Sequence, residues 1–467
     1  MTTFTGLSAA LTALHTSQRA MEVTANNIAN VNTEGYTRQR VSMTEIADYA
    51  GPGPHSQATN MGVGVQIDKV ERIQDAFLEN RGRIERAQSA YLNDQQQLLG
   101  RIEQAFGEPS DTALQSQLTE FWGAFADAAN RPADNATRTA LVARGEIVAS
   151  TVRDMSAQLS SVWDTGRAQL GALVSEINEA AKTVAQLNQA VVAGNVNSQP
   201  ANELANQRDR AVMKLAELTG ATTANRTDGS VDVLIGGSML VTGNVARQLQ
   251  QPTGATTMSD AQAGTTVDVR WADGAAAKFT TSSGKLAASL DALNSTLPLQ
   301  YANRLDTFAV NLATAVNTKH AMGQTDAGVA GGEFFGPPSG FPLSAANFRL
   351  QINSLSDLAM ADLGTTPGAK DGLNADRLAD LGKDPAGPDR EYQRLVVDLG
   401  AHSQAAQRRA EIQSATLTEV DAERTSQSGV NLDEEMSNLV QYERSYQAAA
   451  KVISTIDDML DVLINRM

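Results

Sequence analysis

The amino-acid sequence predicts a mainly α-helical protein, an elongated helical bundle with a coiled-coil helix at each terminus and a small β region inserted in the body. Three observations carry this reading. Apolar residues recur at alternating spacings of three and four at both ends of the chain, the pattern of a coiled-coil seam. One apolar stripe at helical spacing extends from Val148 to Val191, longer than an ordinary globular helix. Only 4% of the 467 residues are aromatic, which suits long helices with thin seams better than a compact enzyme core.

The first helix carries Phe4, Leu7, Leu11, Leu14, Met21 and Ile28 in one heptad phase, with Gln18 as its polar exception. It should end near Asn30, because Asn and Gly readily take the left-handed conformation that closes a helix. The amides of Asn26, Asn27, Asn30 and Asn32 fit two compatible roles, as formers of that helix end and as bridges to a neighbouring subunit. Residues 36–68 read as extended segments and turns, with Gly51-Pro52-Gly53-Pro54 excluding helix. Helix returns near Ile73, breaks at 107–111, and resumes near Asp134 as a bundle helix of roughly 60 residues, ~90 Å long at 1.5 Å per residue. A shorter helix, Ala201 to Leu218, closes on Gly220.

Alternation on both sides of Asp228-Gly229 then signals a hairpin. Strand-like pieces follow at 267–271 and 277–281. Helical pattern resumes over 285–319, gives way to the Gly- and Pro-rich stretch 331–338, and returns over 391–426. Asn431 is a suitable N-cap for the last helix, with Glu434 placed to reach back to it and Asp433, Glu434 and Glu435 at the positive end of the helix dipole. Its seam is Leu439, Tyr442, Tyr446, Ala449, Ile453, Ile456, Leu460 and Leu463, with the two tyrosine hydroxyls at the rim. Two sticky stripes at opposite ends of one chain are covered most simply by pairing them. The expected division is therefore an inner coiled-coil domain with its first half at 1–68, a helical body at 69–220, a β region at 221–284, the rest of the body at 285–427 and the C-terminal helix at 428–467.

The formal charge of −16, with no basic stripe, argues against a nucleic-acid partner. No stretch is apolar enough to span a membrane. The chain holds no cysteine, so disulfides, thiolate nucleophiles and thiolate metal sites are excluded. The four histidines, His15, His55, His320 and His402, are scattered without a second ligand at helical or turn spacing. Adjacent carboxylates such as Asp457 and Asp458 sit on a helix face, where they are ordinarily solvated. Gly62-Val63-Gly64 lacks the third glycine and the strand-to-helix setting of a dinucleotide loop. The Asp-Gly steps at 228 and 371 lack the spaced oxygen ligands of a calcium loop. No catalytic, cofactor or metal site is assigned.

Several motifs resemble one family. Asn26-Asn27-Ile28-Ala29-Asn30-Val31-Asn32-Thr33-Glu34-Gly35-Tyr36, continued by Thr37-Arg38-Gln39, is similar to the signature of the bacterial flagellar rod, hook and hook-associated axial proteins. The stretches Val70 to Leu78, Ser428 to Met436 and Tyr442 to Ile453 resemble the same family, so the likeness covers roughly the first 80 and last 45 residues. The resemblance implies a structural protein that joins hook to filament, with subunits stacked in a ring-like layer and terminal helices lining an export channel. It further implies three partners besides the chain itself: the hook protein, the next hook-associated junction protein, and a cytoplasmic export chaperone covering the C-terminal helix. The expected location is the extracellular flagellum, reached by type III export without a cleavable signal peptide, since the first basic residue is Arg19 and the front is amphipathic. An outer β domain that the family commonly inserts near 336–347 has no room here. Rival readings are another axial subunit of rod or hook, a secreted peptidoglycan-cutting enzyme with paired carboxylates, and a cytoplasmic coiled-coil adaptor.

Overall fold

A computed structural model describes residues 3–33, 35–46, 64–196, 201–274, 282–294, 297–364 and 370–465, without the side chains of Thr3, Phe4, Thr5, Val196 and Leu463. The strand expected at 277–281, the Gly51 to Pro54 break and His55 lie outside the described residues.

The chain runs α1 (Thr3–Ala29), β1 (Gln39–Glu45), β2 (Val65–Arg72), α2 (Ala76–Phe106), α3 (Leu114–Asn130), α4 (Asn135–Val196) and α5 (Asn202–Thr219). There follow β3 (Thr222–Asn225), β4 (Val231–Ile235), β5 (Ser238–Thr242), β6 (Val245–Ala246), α6 (Met258–Gln262), α7 (Gly284–Asn294) and α8 (Leu297–Ala321). The last helices are α9 (Leu373–Ala379), α10 (Pro388–Ser428) and α11 (Leu432–Asn465). The protein is mainly helical, as the stripes predicted, and α4 alone spans 62 residues.

Element ends follow local chemistry. Asp75 caps α2 by accepting the Phe77 and Leu78 amides at 2.8 and 3.0 Å, which starts that helix three residues later than Ile73. Gly220 closes α5 at φ +69°, its N–H donating to the Ala216 carbonyl at 2.8 Å. The single helix expected over 285–319 is two, α7 and α8; Pro298, without an N–H, sits in the first turn of α8, where that loss costs nothing. The helix α3 lies in a stretch to which the periodicity reading assigns nothing, although Leu114, Leu118, Phe121, Trp122, Phe125 and Ala128 form its buried face.

The chain divides into two compact units. The first comprises Met1–Ala87, Ile177–Gln248 and Ser414–Met467. Here β1 and β2 pair antiparallel from Gln39↔Arg72 to Glu45↔Val65, with an irregularity between Ser42 and Met43. Strands β3 to β6 form an antiparallel sheet in sequence order, turning at Gly229, φ +90°. Asn188 of α4, fully buried, staples that sheet: its amide donates to the Val231 and Gly243 carbonyls at 2.8 and 2.7 Å and accepts the Val231 N–H at 3.0 Å. Arg424 of α10 holds Glu79 of α2 with both Nη2 contacts at 3.0 Å, and Arg86 pairs with Asp421 at 2.7 Å.

The second unit comprises Gln88–Glu176 and Leu249–Gln413. Much of the chain's small aromatic complement is concentrated in its core, where Phe121, Trp122, Phe125, Phe334, Phe335 and Phe348 pack ring against ring at centroid distances of 4.7–6.4 Å. Such pairs prefer edge and offset geometries and add to the burial of their area. Short two-residue ladders at 253–254 with 267–268, 323–324 with 361–362 and 335–336 with 349–350 complete it.

Candidate functional site: the paired termini

The two ends of the chain lie together. Helix α1 packs along α11, and its other side meets the β1–β2 hairpin, where the Thr16 hydroxyl donates to the Val65 carbonyl at 3.4 Å. The pair is antiparallel: Gly6, near the start of α1, adjoins Ile456 near the end of α11, and Asn27 at the far end of α1 meets Glu435 at the start of α11.

On α11 the predicted seam faces inward. Ile456 and Ala449 are buried, and Leu439, Tyr442, Tyr446, Ile453 and Leu460 are half-buried. On α1 the best-buried positions are not the predicted apolar ones. Ala10, Ser17, Ala20, Thr24 and Asn27 are buried, while Leu7, Leu14, Met21 and Ile28 are half-buried and Leu11 is 49% exposed. The buried stripe stands one residue before the apolar one. Small residues at the centre let the backbones approach closely, which displaces the larger leucines to the flanks. The side chains of Phe4 and Leu463 lie outside those described.

A polar knot closes the far end of the pair. Asn27, 1% exposed, uses its whole amide. Its nitrogen donates to the Gln39 carbonyl at 2.9 Å and to Glu435 Oε2 at 3.0 Å; its oxygen accepts from the Tyr36 hydroxyl at 2.9 Å and the Gln39 N–H at 3.0 Å. Glu435, 2% exposed, also receives Arg38 Nε at 2.7 Å. A buried carboxylate is tolerable only when paired and hydrogen-bonded in this way. Arg38 further donates to Glu434 at 2.6 Å, so Glu434 turns to the segment that leads into β1; Asn431 caps α11 through the Asp433 N–H at 2.9 Å. The backbone of Arg38 joins in, its N–H donating to the Ser428 carbonyl at 2.9 Å and its carbonyl accepting the Ile73 N–H at 2.8 Å. Burial, with the Glu203 and Glu435 charges nearby, pushes the Tyr36 hydroxyl up to about 12, which keeps it a proton donor at any physiological pH.

The other asparagines differ in role. Asn30 donates to the Asn26 side chain at 2.7 Å and accepts the Thr33 hydroxyl at 3.1 Å, which fixes the helix end; Asn26 and Asn32 are exposed. Beneath the knot, Arg72 of β2 and Arg208 of α5 both hold Asp209. Burial alone would raise that carboxyl, yet the two guanidiniums keep it below the ordinary range. A cavity of about 700 Å³ beside the turn is walled by four acids and four bases, so it offers no net charge to an ionic ligand. The small residues of α1 and the residues Tyr36, Arg38, Glu434 and Glu435 were not among the residues expected to build this site. Stepping back in sevens from Asn27 reaches Ala20, Ala13 and Gly6, and the second buried series, Thr24, Ser17 and Ala10, steps back in sevens from Thr24.

His320 serves the fold. His320 is buried, donating through Nδ1 to the Gly332 carbonyl at 2.7 Å and accepting the Ala359 N–H on Nε2 at 3.0 Å. Among the described residues, no group of three or more His, Asp or Glu is placed to hold a metal ion, and no helix is long and apolar enough to cross a membrane.

The family model of the flagellar hook-associated protein FlgK helical domain matches residues 99–335. The chain belongs to the FlgK family. At the ends of this FlgK-family chain, residues 7–37 match a model of the flagella basal body rod protein and 422–467 that of the flagellar basal body rod FlgEFG protein C-terminal region. The chain is 29% identical to flagellar hook-associated protein 1 of Bacillus subtilis, over its full length and 98% of that protein. It is 25% identical to flagellar hook-associated protein 1 of Escherichia coli, over 98% of each. Its fold resembles that of the flagellar hook junction protein FlgK from Burkholderia pseudomallei, with a TM-score of 0.61 at 16% identity, covering 74% of this chain and all of that one.

Proposed function

We propose that the chain is a structural subunit of the bacterial flagellum that forms the junction between hook and filament by self-assembly, with the paired terminal helices as its assembly interface. The observation that carries this reading is the closure of the two termini on each other in a chain aligned from end to end with hook-associated proteins. Leu11 on α1 and Val452, Met459 and Val462 on α11 remain exposed after the pairing, and an apolar surface of this kind is what neighbouring copies in a ring-like layer would cover. The same surface gives a cytoplasmic export chaperone a reason to bind α11 before the chain leaves the cell. The hook protein and the next hook-associated junction protein are the partners below and above the layer. The work is mechanical and needs no catalysis.

A second reading, a rod or hook subunit, draws on the rod-protein likeness of the two ends; the helical domain match over 99–335 weighs against it. Gene deletion with electron microscopy separates the two. The junction role predicts complete hooks without filaments and flagellin lost to the medium. Absence of the hook itself would favour the second reading.

A further inference from the structure

The face that α1 turns to α11 has little relief. Gly6, Ala13, Ala20 and Asn27 stand one heptad apart, as do Ile456, Ala449, Tyr442 and Glu435 on the antiparallel partner. Contacts fix both ends of this ladder: a Cβ at Gly6 would lie 3.7 Å from Ile456 Cδ1, and Asn27 donates to Glu435 at 3.0 Å. The interval is the same on the two helices, about six turns, so the rungs between pair Ala13 with Ala449 and Ala20 with Tyr442. A slip by one heptad would put Ala13 on Ile456 and Ala20 on Ala449. Each exchange sets one small residue where another had been, so apolar packing hardly distinguishes the two registers. The last rung does. In the slipped pair Asn27 would face Tyr442 and keep its bonds to Gln39 and Tyr36 within the N-terminal segment, but the one bond that crosses to α11 would be lost, and Glu435, still desolvated, would be without the amide.

We propose that Asn27 and Glu435 are the register lock of the terminal helix pair. A buried polar residue at one core position of a coiled coil is the best-attested means of fixing register, because the penalty for mispairing falls on that rung alone. The lock belongs to the single chain, independent of what the chain assembles into. It also ties the register to the body: Asn27 grips Gln39 of β1, and Arg38 beside it grips Ser428 at the end of α10. Register in turn decides which exposed apolar residues of α1 and α11 stand side by side.

The absence of native cysteine makes disulfide mapping of the full-length chain direct. Ala13→Cys with Ala449→Cys reports the observed register, and Ala20→Cys with Ala449→Cys reports the slipped one. With Asn27 and Glu435 in place, only the first pair should cross-link. In the Asn27→Leu, Glu435→Leu background the second pair should cross-link at a yield comparable with the first, with helix content by circular dichroism retained. Glu435→Gln, which still accepts from Asn27, should restore the first pair alone. If the first pair alone cross-links in the Leu background, the connections to the body set the register and the proposal is wrong. Loss of helix content with indiscriminate cross-linking would make the rung a requirement for pairing and not for its register, which also overturns it.

Discussion

Replacing Ile456 by Asp should open the α1–α11 pair. Ile456 is 7% exposed and rests on Gly6, where no side chain intervenes. Withdrawing its apolar surface from the seam forfeits about 2 kcal/mol. A carboxyl held away from water titrates upward, and raising it from about 4 to about 6 costs about 3 kcal/mol at neutral pH. The sum, about 5 kcal/mol, matches the whole stability of a small domain. A helix pair at the chain ends should therefore open locally before anything else does. Hydrogen exchange of the full chain is the assay. Amides within 3–29 and 432–465 should lose protection in the variant at pH 7, with α3 and α8 as the internal reference. The penalty comes from an acid whose folded pKa is raised, so it is present above that pKa and shrinks as pH falls; exchange at pH 4, corrected for its intrinsic rate, should show partial recovery. Undiminished protection of α1 and α11 at pH 7 would refute the reasoning, since it would mean that Ile456 does not hold the seam.

Three further outcomes are expected. Gly6→Ala should stabilise the terminal pair by about 1 kcal/mol, because helix propensity improves by that amount and the added Cβ meets Ile456 at an ordinary 3.7 Å; faster exchange in α1 would contradict this. Burial lowers the His320 pKa below its free value of 6.5, against the opposing bond to Gly332. Its contribution is thus complete above pH 6.5 and lost as pH falls towards the folded pKa, as the unfolded chain takes up a proton that the folded one resists. Urea midpoints measured across this range should fall for the parent and change less for His320→Asn. Finally, a short Gly/Ser insertion between Ser339 and Gly340 should leave both stability and filament assembly intact, since Ser339, Gly340 and Phe341 are exposed and lengthening a surface loop costs little entropy; lost motility with normal export would assign that turn a contact.

Elements whose pattern is local were legible in the sequence. The stripe of α4, the Gly220 stop, the Asp228-Gly229 hairpin and the inward face of α11 each follow from spacing or turn chemistry confined to one segment. The α1 face was misplaced by one residue because hydropathy marks the largest apolar side chains, whereas the closest approach of two helices selects the smallest. Gly6, Ala13 and Ala20 carry almost no hydropathy signal, so only the interval to Asn27 betrays them. The knot was illegible for another reason. Asn27 and Glu435 lie 408 positions apart, and nothing in either neighbourhood says that an amide and a carboxylate will share a dry site. Nor does the pattern of 285–319 reveal that Pro298 begins a second helix, since both helices bury alanines and leucines in compatible phase.

The contact between Gly6 and Ile456 joins points near opposite ends of the chain, which makes it among the most non-local a chain of this length can form. During synthesis α1 emerges some four hundred residues before α11, so for that interval α1 exists without the helix that covers its inner face. Closing so long a loop is slow to nucleate even though its entropic cost grows only logarithmically with length. Completion of the pair is thereby a readout of the synthesis of α11. A product ending before Leu432 keeps α4, the aromatic core and the β1–β2 hairpin yet leaves the α11-facing side of α1 uncovered and Asn27 without Glu435. Full-length and truncated chains thus differ at their front ends as well as at their tails, and a protease or chaperone that samples only the first thirty residues can tell them apart.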